Sequence, residues 1–131
     1  MANNILNGTE VFAFSDQIGC PTYSMDLAEF IVDIVDKDKV FPEGGICQYT
    51  NLGVASRYDI AKQIEMFYGA EKGLAMPIQT TTSEFVVPRP QVCIMSNEVA
   101  SKLGKTRYWV DALKEFLTEY RKKVTDEKPR Q

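Results

Sequence analysis

Tyr58 and Lys62 stand four residues apart, as do Tyr68 and Lys72. On a helix such a pair shares one face, where the ammonium can lower the tyrosine pKa and make the phenol a proton donor for carbonyl reduction. That chemistry also needs a hydride carrier held beside the phenol. None of the eight glycines forms a G-x-G-x-x-G or G-x-x-G-x-x-G phosphate cradle after a strand. Both pairs are therefore read as ordinary helix-surface residues, and no catalytic or cofactor-binding residue is assigned. The chain has no histidine, which removes Ser-His-Asp and Cys-His schemes together with the commonest metal ligand. Cys20, Cys47 and Cys93 are odd in number, far apart and without a C-x-x-C pair. They read as free thiols, with neither a disulfide framework nor a metal site.

Two stretches are better suited to binding than to catalysis. In residues 16–28 a strand ends, Gly19 and Pro21 fix a turn, and Gln17, Thr22 and Tyr23 present polar groups just ahead of a helix N-terminus. An anionic ligand is favoured there, although composition alone also describes a well-capped loop. Residues 74–95 hold Pro77, Pro88 and Pro90 with the polar run Thr80-Thr81-Thr82-Ser83 between them. This is expected to be mostly ordered loop with extended pieces over 75–79 and 91–95, a context that often carries binding groups.

The elements that must position these stretches follow from periodicity. Residues 9–15 alternate and suit a strand, with a turn over 16–19. A helix follows with Ser24 as N-cap and Leu27, Phe30, Ile31, Ile34 and Val35 as its apolar stripe. Residues 46–52 are β-branched and aromatic and are expected to be a second strand closed by Gly53. Ser56 caps the next helix with Asp59 in its first turn; Ile60, Ala61, Ile64 and Phe67 form its buried stripe, and Gly69 stops it. A short helix over 97–103, capped by Ser96, precedes a long one over 108–123. In the long helix Trp109, Ala112, Leu113, Phe116, Leu117 and Tyr120 repeat at i, i+3, i+4 spacing. The fold class is a small mixed α/β subdomain over 1–123, with 1–8 as a remnant of a preceding helix and 124–131 as a polar, flexible tail. Two longer strands are few for a self-contained parallel sheet, so residues outside this chain are expected to complete it.

At 131 residues and 44% hydrophobic, the chain is one domain's worth of material, able to bury roughly two thirds of its unfolded surface. Its net charge of −3, with basic and acidic residues spread along it, offers no field for a nucleic acid. There is no signal-peptide pattern at the N-terminus, and the longest apolar run, residues 30–35, is interrupted by Asp33. A soluble, cytoplasmic protein with no membrane partner is expected.

Taken in order, the motifs resemble the dTDP-4-dehydrorhamnose reductase family of extended short-chain dehydrogenases. Residues 16–28 are similar to its D-Q-x-G-x-P-T-x-x-x-D-L-A stretch, Gly45-Ile46 through Asn51-Leu52-Gly53 to its G-[IV]-Y-x-L strand, and Ser56-Arg57-Tyr58-Asp59-Ile60-Ala61 to its S-x-Y-E-x-A helix. Residues 78–85 resemble its I-x-x-I-x-T-x-E-[YF] loop, Val87-Pro88-Arg89-Pro90 its A-x-R-P element, and Trp109 with Ala112-Leu113 and Phe116-Leu117 its closing helix. The resemblance implies a substrate-binding half that lacks the N-terminal Rossmann half. NADPH or NADH is expected in a complete enzyme and no cofactor in this chain.

The resemblance also implies a dTDP-sugar ligand, with Arg89 as the diphosphate partner and Gln17 and Thr22 as pocket-lining groups. Without it, Arg89 is a solvated loop arginine between two prolines. Three positions depart from the family pattern: Cys20 replaces a small residue, Arg57 replaces an aromatic, and Arg89 has no second arginine beside it. The expected function is to bind the sugar nucleotide, with no reaction carried out alone. The expected partner is the missing Rossmann half, or a second copy through the exposed face. The alternatives are a non-catalytic regulatory or interaction subunit on the same fold, or a remnant that folds and binds nothing.

Overall fold

The computed structural model describes residues 1–37, 45–70, 73–80 and 90–126. In chain order its elements are α1 (Ala2–Leu6), β1 (Val11–Phe14), β2 (Ile18–Gly19), α2 (Ser24–Asp36), β3 (Ala55–Ser56), α3 (Arg57–Tyr68), β4 (Ala75–Ile78), β5 (Val92–Cys93), α4 (Glu98–Leu103) and α5 (Trp109–Asp126). The mixed α/β class is as expected.

Local chemistry explains α3 most directly. Ser56 Oγ accepts from the Asp59 amide at 3.0 Å, and the Asp59 carboxylate accepts from the Ser56 amide at 2.8 Å. This reciprocal box satisfies two amides that the first turn leaves without helical partners. Gly69 ends the helix at φ 64°, in the left-handed region a glycine enters freely.

Two small sheets result. β1 and β4 run parallel, Val11 opposite Ala75 through Phe14 opposite Ile78. β2 is central in the second sheet, antiparallel to β3 and parallel to β5. Ile5, Val11, Ala13, Ala61, Ile64, Leu74, Ala75 and Leu117 form the main core, where α1, α3 and α5 meet the β1–β4 pair. Phe30, Ile34 and Ala100 form a second core with Tyr49 and Leu103, where α2 meets α4.

Residues 46–52 correct the expectation of a second strand. Only Leu52 makes a bridge, to Tyr108, while the rest forms no ladder. The backbone groups of Thr50 are satisfied by a side chain instead: the Asn97 amide accepts from Thr50 N at 2.8 Å and donates to Thr50 O. With Asn97 so engaged, the amide of Glu98 takes Ser96 Oγ at 3.3 Å. At the bridge Gly53 has φ 92°, and a Cβ there would lie 3.0 Å from Cδ1 of Trp109. Only glycine suits both the backbone and the ring.

The stripe expected on α2 is also rotated. Asp26, Phe30 and Ile34 face inward at i, i+4, i+8, leaving Leu27, Ile31 and Val35 exposed. Tyr23, not Ser24, occupies the N-cap and makes no side-chain cap bond. The segment expected to turn over 16–19 includes β2, so the turn is shorter than expected. Among the described residues no helix is long and apolar enough to cross a membrane.

Candidate functional site

The loop after β1 is tied down by a chain of polar contacts. Asp16 accepts from Thr80 N at 2.9 Å and from Thr80 Oγ1 at 3.1 Å, and Gln17 Nε2 donates to that same hydroxyl at 2.8 Å. The amide of Gln17 is thereby held against the end of β4, 63 residues away in sequence. Beyond β2, Thr22 Oγ1 donates to the Cys20 carbonyl at 3.1 Å, closing a tight local turn. The Tyr23 amide donates to Asn51 Oδ1 at 2.7 Å, and its phenol donates to Glu119 at 2.8 Å. The hydrogen bond to Glu119, then burial and the surrounding carboxylates, push the Tyr23 pKa up to about 12. It is a donor locked to an acceptor, not a mobile acid.

Against this loop lies a depression of about 530 Å³, lined among others by Gln17, Cys20, Pro21, Arg57, Pro90 and Cys93. Among the described residues its lining includes one charged side chain, Arg57, and no carboxylate. In a chain of net charge −3, that is a local reversal of sign, and it favours an anionic ligand.

A second depression, of about 600 Å³, has the opposite character. Asp26, Glu29, Asp33 and Glu115 face Lys37, Lys105 and Arg107 across it, and most of these charges are already paired. Arg107 grips the buried Asp26 carboxylate with Nε at 2.9 Å and a terminal nitrogen at 2.5 Å, and its other nitrogen reaches Glu115 at 2.6 Å. Asn51, 1% exposed, donates to Asp26 at 2.6 Å, and Lys37 pairs with Asp33. Burial opposes ionisation of Asp26. The hydrogen bonds from Arg107 and Asn51 and the arginine's charge outweigh it and hold the carboxyl below the usual range. This larger depression is a structural joint, and the smaller one is the candidate binding site.

Of the residues expected to bind, Gln17 lines the smaller depression, whereas Thr22 is exposed and turned to Cys20. Arg89 and residues 81–88 lie outside the described residues; Pro90, next in sequence, lines the depression. The Lys62 ammonium goes to Glu65 at 2.5 Å, and Lys72 lies outside the described residues. Asp26, Asn51 and Arg107 were not expected as a unit. One signal points to them: Asp26 shares the i, i+4, i+8 face of Phe30 and Ile34, and a carboxylate on an apolar face requires a cationic partner.

Comparison with known proteins gives a consistent result. The family model described as the RmlD substrate binding domain matches residues 1–122. The chain is 34% identical over 113 residues to the spore coat polysaccharide biosynthesis protein SpsK of Bacillus subtilis, covering 84% of this chain and 37% of that protein. It is 33% identical over 105 residues to a dTDP-4-dehydrorhamnose reductase of Mycolicibacterium smegmatis, covering 79% of this chain and 31% of that one. The crystal structure of dTDP-4-dehydrorhamnose reductase from Yersinia enterocolitica superposes with a TM-score of 0.74 at 27% identity, over 90% of this chain and 41% of that chain. The chain thus spans about a third of the length of the curated relatives it matches.

Proposed function

The chain belongs to the RmlD substrate binding domain family, and from that premise we propose that it forms the sugar-nucleotide wall of a dTDP-4-dehydrorhamnose reductase-like enzyme. The observation that carries this reading is the depression beside residues 17–21, whose lining among the described residues holds an arginine and no carboxylate. A nucleotide-linked sugar carries a diphosphate, and such a lining suits it. In this reading Gln17 and Thr22 are polar contacts of the pocket, and Arg89, adjacent to Pro90, supplies a bidentate contact to the diphosphate.

In the complete enzyme the reaction is reduction of a dTDP-4-keto sugar, with NADPH or NADH as hydride source, held by a Rossmann half that these 131 residues do not include. This chain's part is to fix the sugar nucleotide in one orientation, which is where much of the lowering of a bimolecular barrier arises. Support for a partner half comes from the β1–β4 pair. Phe12 is 64% exposed and Met76 41%, whereas parallel strands are ordinarily covered on both faces. Sedimentation of the purified chain is expected to show self-association or capture of that half; a clean monomer indifferent to it would count against this partner.

The decisive test is a thermal-shift titration with thymidine diphosphate. The wild-type chain is expected to bind and Arg89→Ala to lose binding; failure of the wild type to bind removes the reading. Oxidation of NADPH by the purified chain alone, given a nucleotide-linked keto sugar, would overturn the assignment of catalysis to the complete enzyme.

A further inference from the structure

Arg57 opens α3 and projects at the candidate depression. Its guanidinium makes no hydrogen bond or ion pair with any described residue. The acid nearest in sequence, Asp59, is turned away, both of its bonds going to Ser56: its carboxylate accepts from the Ser56 amide at 2.8 Å and from Ser56 Oγ at 2.7 Å. Among the described residues every other lining side chain is uncharged. An arginine is five donors in a fixed planar fork, and at this exposed position they are open to a ligand. Arg107 shows the contrast, with all its charged contacts taken by Asp26 and Glu115.

We propose that Arg57 is a specificity-determining anion contact of this site, gripping a phosphate of the diphosphate from the start of α3, beside Gln17, which continues the register in which Ile18 pairs with Ser56. The inference rests on the proposed sugar-nucleotide reading and deepens it, because it names the side chain that gives the site its charge. An arginine discriminates a diphosphate from a neutral nucleoside by charge and by fork geometry.

The test is an NMR titration of the full 131-residue chain with thymidine diphosphate, thymidine and inorganic pyrophosphate, for wild type, Arg57→Gln and Arg57→Lys. Thymidine diphosphate and pyrophosphate are expected to move the amides of Gln17, Gly19, Cys20 and Arg57. Arg57→Gln is expected to weaken both by about 10- to 100-fold, the range for removing a charge-assisted contact, while Arg57→Lys keeps part of the affinity and thymidine is unaffected. Equal binding of thymidine diphosphate by wild type and Arg57→Gln sinks the role of Arg57 and leaves the sugar-nucleotide reading intact. Pyrophosphate binding that is lost in Arg57→Gln, with no gain from thymidine, upholds Arg57 and sinks the nucleotide reading. No binding of either anion by wild type sinks both. Because Arg57 holds nothing in place, thermal melting of Arg57→Gln is expected to match wild type, which separates lost binding from lost fold.

Discussion

Arg107 and Arg57 sit in two depressions of similar size, one lined by four carboxylates and the other, among the described residues, by none. Around Arg107 every guanidinium nitrogen has a carboxylate partner: two hold Asp26 side-on and the third takes Glu115. Around Arg57 no described group answers the charge. A saturated arginine stabilises the fold and has little left to offer a ligand, while an unanswered one contributes little to stability and is free to recognise something.

The sharpest way to break this contrast is Arg107→Ala, which strands a buried carboxylate and is expected to cost about 3–5 kcal/mol of stability in urea denaturation. The pH dependence follows from the same pair. Asp26 has a folded pKa held below its unfolded value of about 3.9. Its contribution is therefore fully present above about pH 5 and is lost as the pH falls below ~4 through the folded value. In Arg107→Ala burial acts on Asp26 with the arginine's help removed, so the loss of stability that Asp26 contributes on acidification is expected to disappear and the cost of the substitution to shrink as the pH falls. An unchanged acid limb would mean that the clamp does not hold the charge.

Glu65→Ala ranks next. Glu65 is 3% exposed, and its carboxylate accepts from Leu74 N at 2.5 Å and from Lys62. Its loss leaves a buried amide without a partner and is expected to cost about 2 kcal/mol by the same measurement. Ser56→Ala removes half of the capping box and is expected to cost about 1 kcal/mol. Arg57→Gln closes the series, with a change inside about 0.5 kcal/mol. Should Arg57→Gln destabilise as much as Arg107→Ala, the division between a structural arginine and a recognising one would not hold.

What could be read in the sequence was what depends on neighbours three and four residues apart. Ser56 and Asp59, Gly69, and, of the six-residue stripe expected on the long helix, Ala112, Leu113 and Leu117 act within a turn or two and lie as expected, while Phe116 of that stripe is exposed. The strand expected at 46–52 failed for a physical reason. Its β-branched and aromatic content suits a pleat, but its hydrogen-bond partners are the side chain of Asn97 and the backbone flanking Tyr108, which no local period announces. The rotation of α2 has a related origin. Five apolar residues defined a broad stripe, and the pairing of Asp26 with Arg107, 81 residues away, fixed which edge of it turned inward. At the candidate site, Gln17 was legible from its motif. Arg57 stood out as a departure from the family pattern, but its lack of partners could be seen only once the chain was folded.

The contact between Gly53 and Trp109 has one more consequence. Trp109 is the chain's single tryptophan, and its indole lies over the glycine at the joint where Leu52 meets Tyr108. Its fluorescence is thus a built-in gauge with one address: emission shifts record the opening of that joint rather than an average over many rings, and can be followed with no label attached.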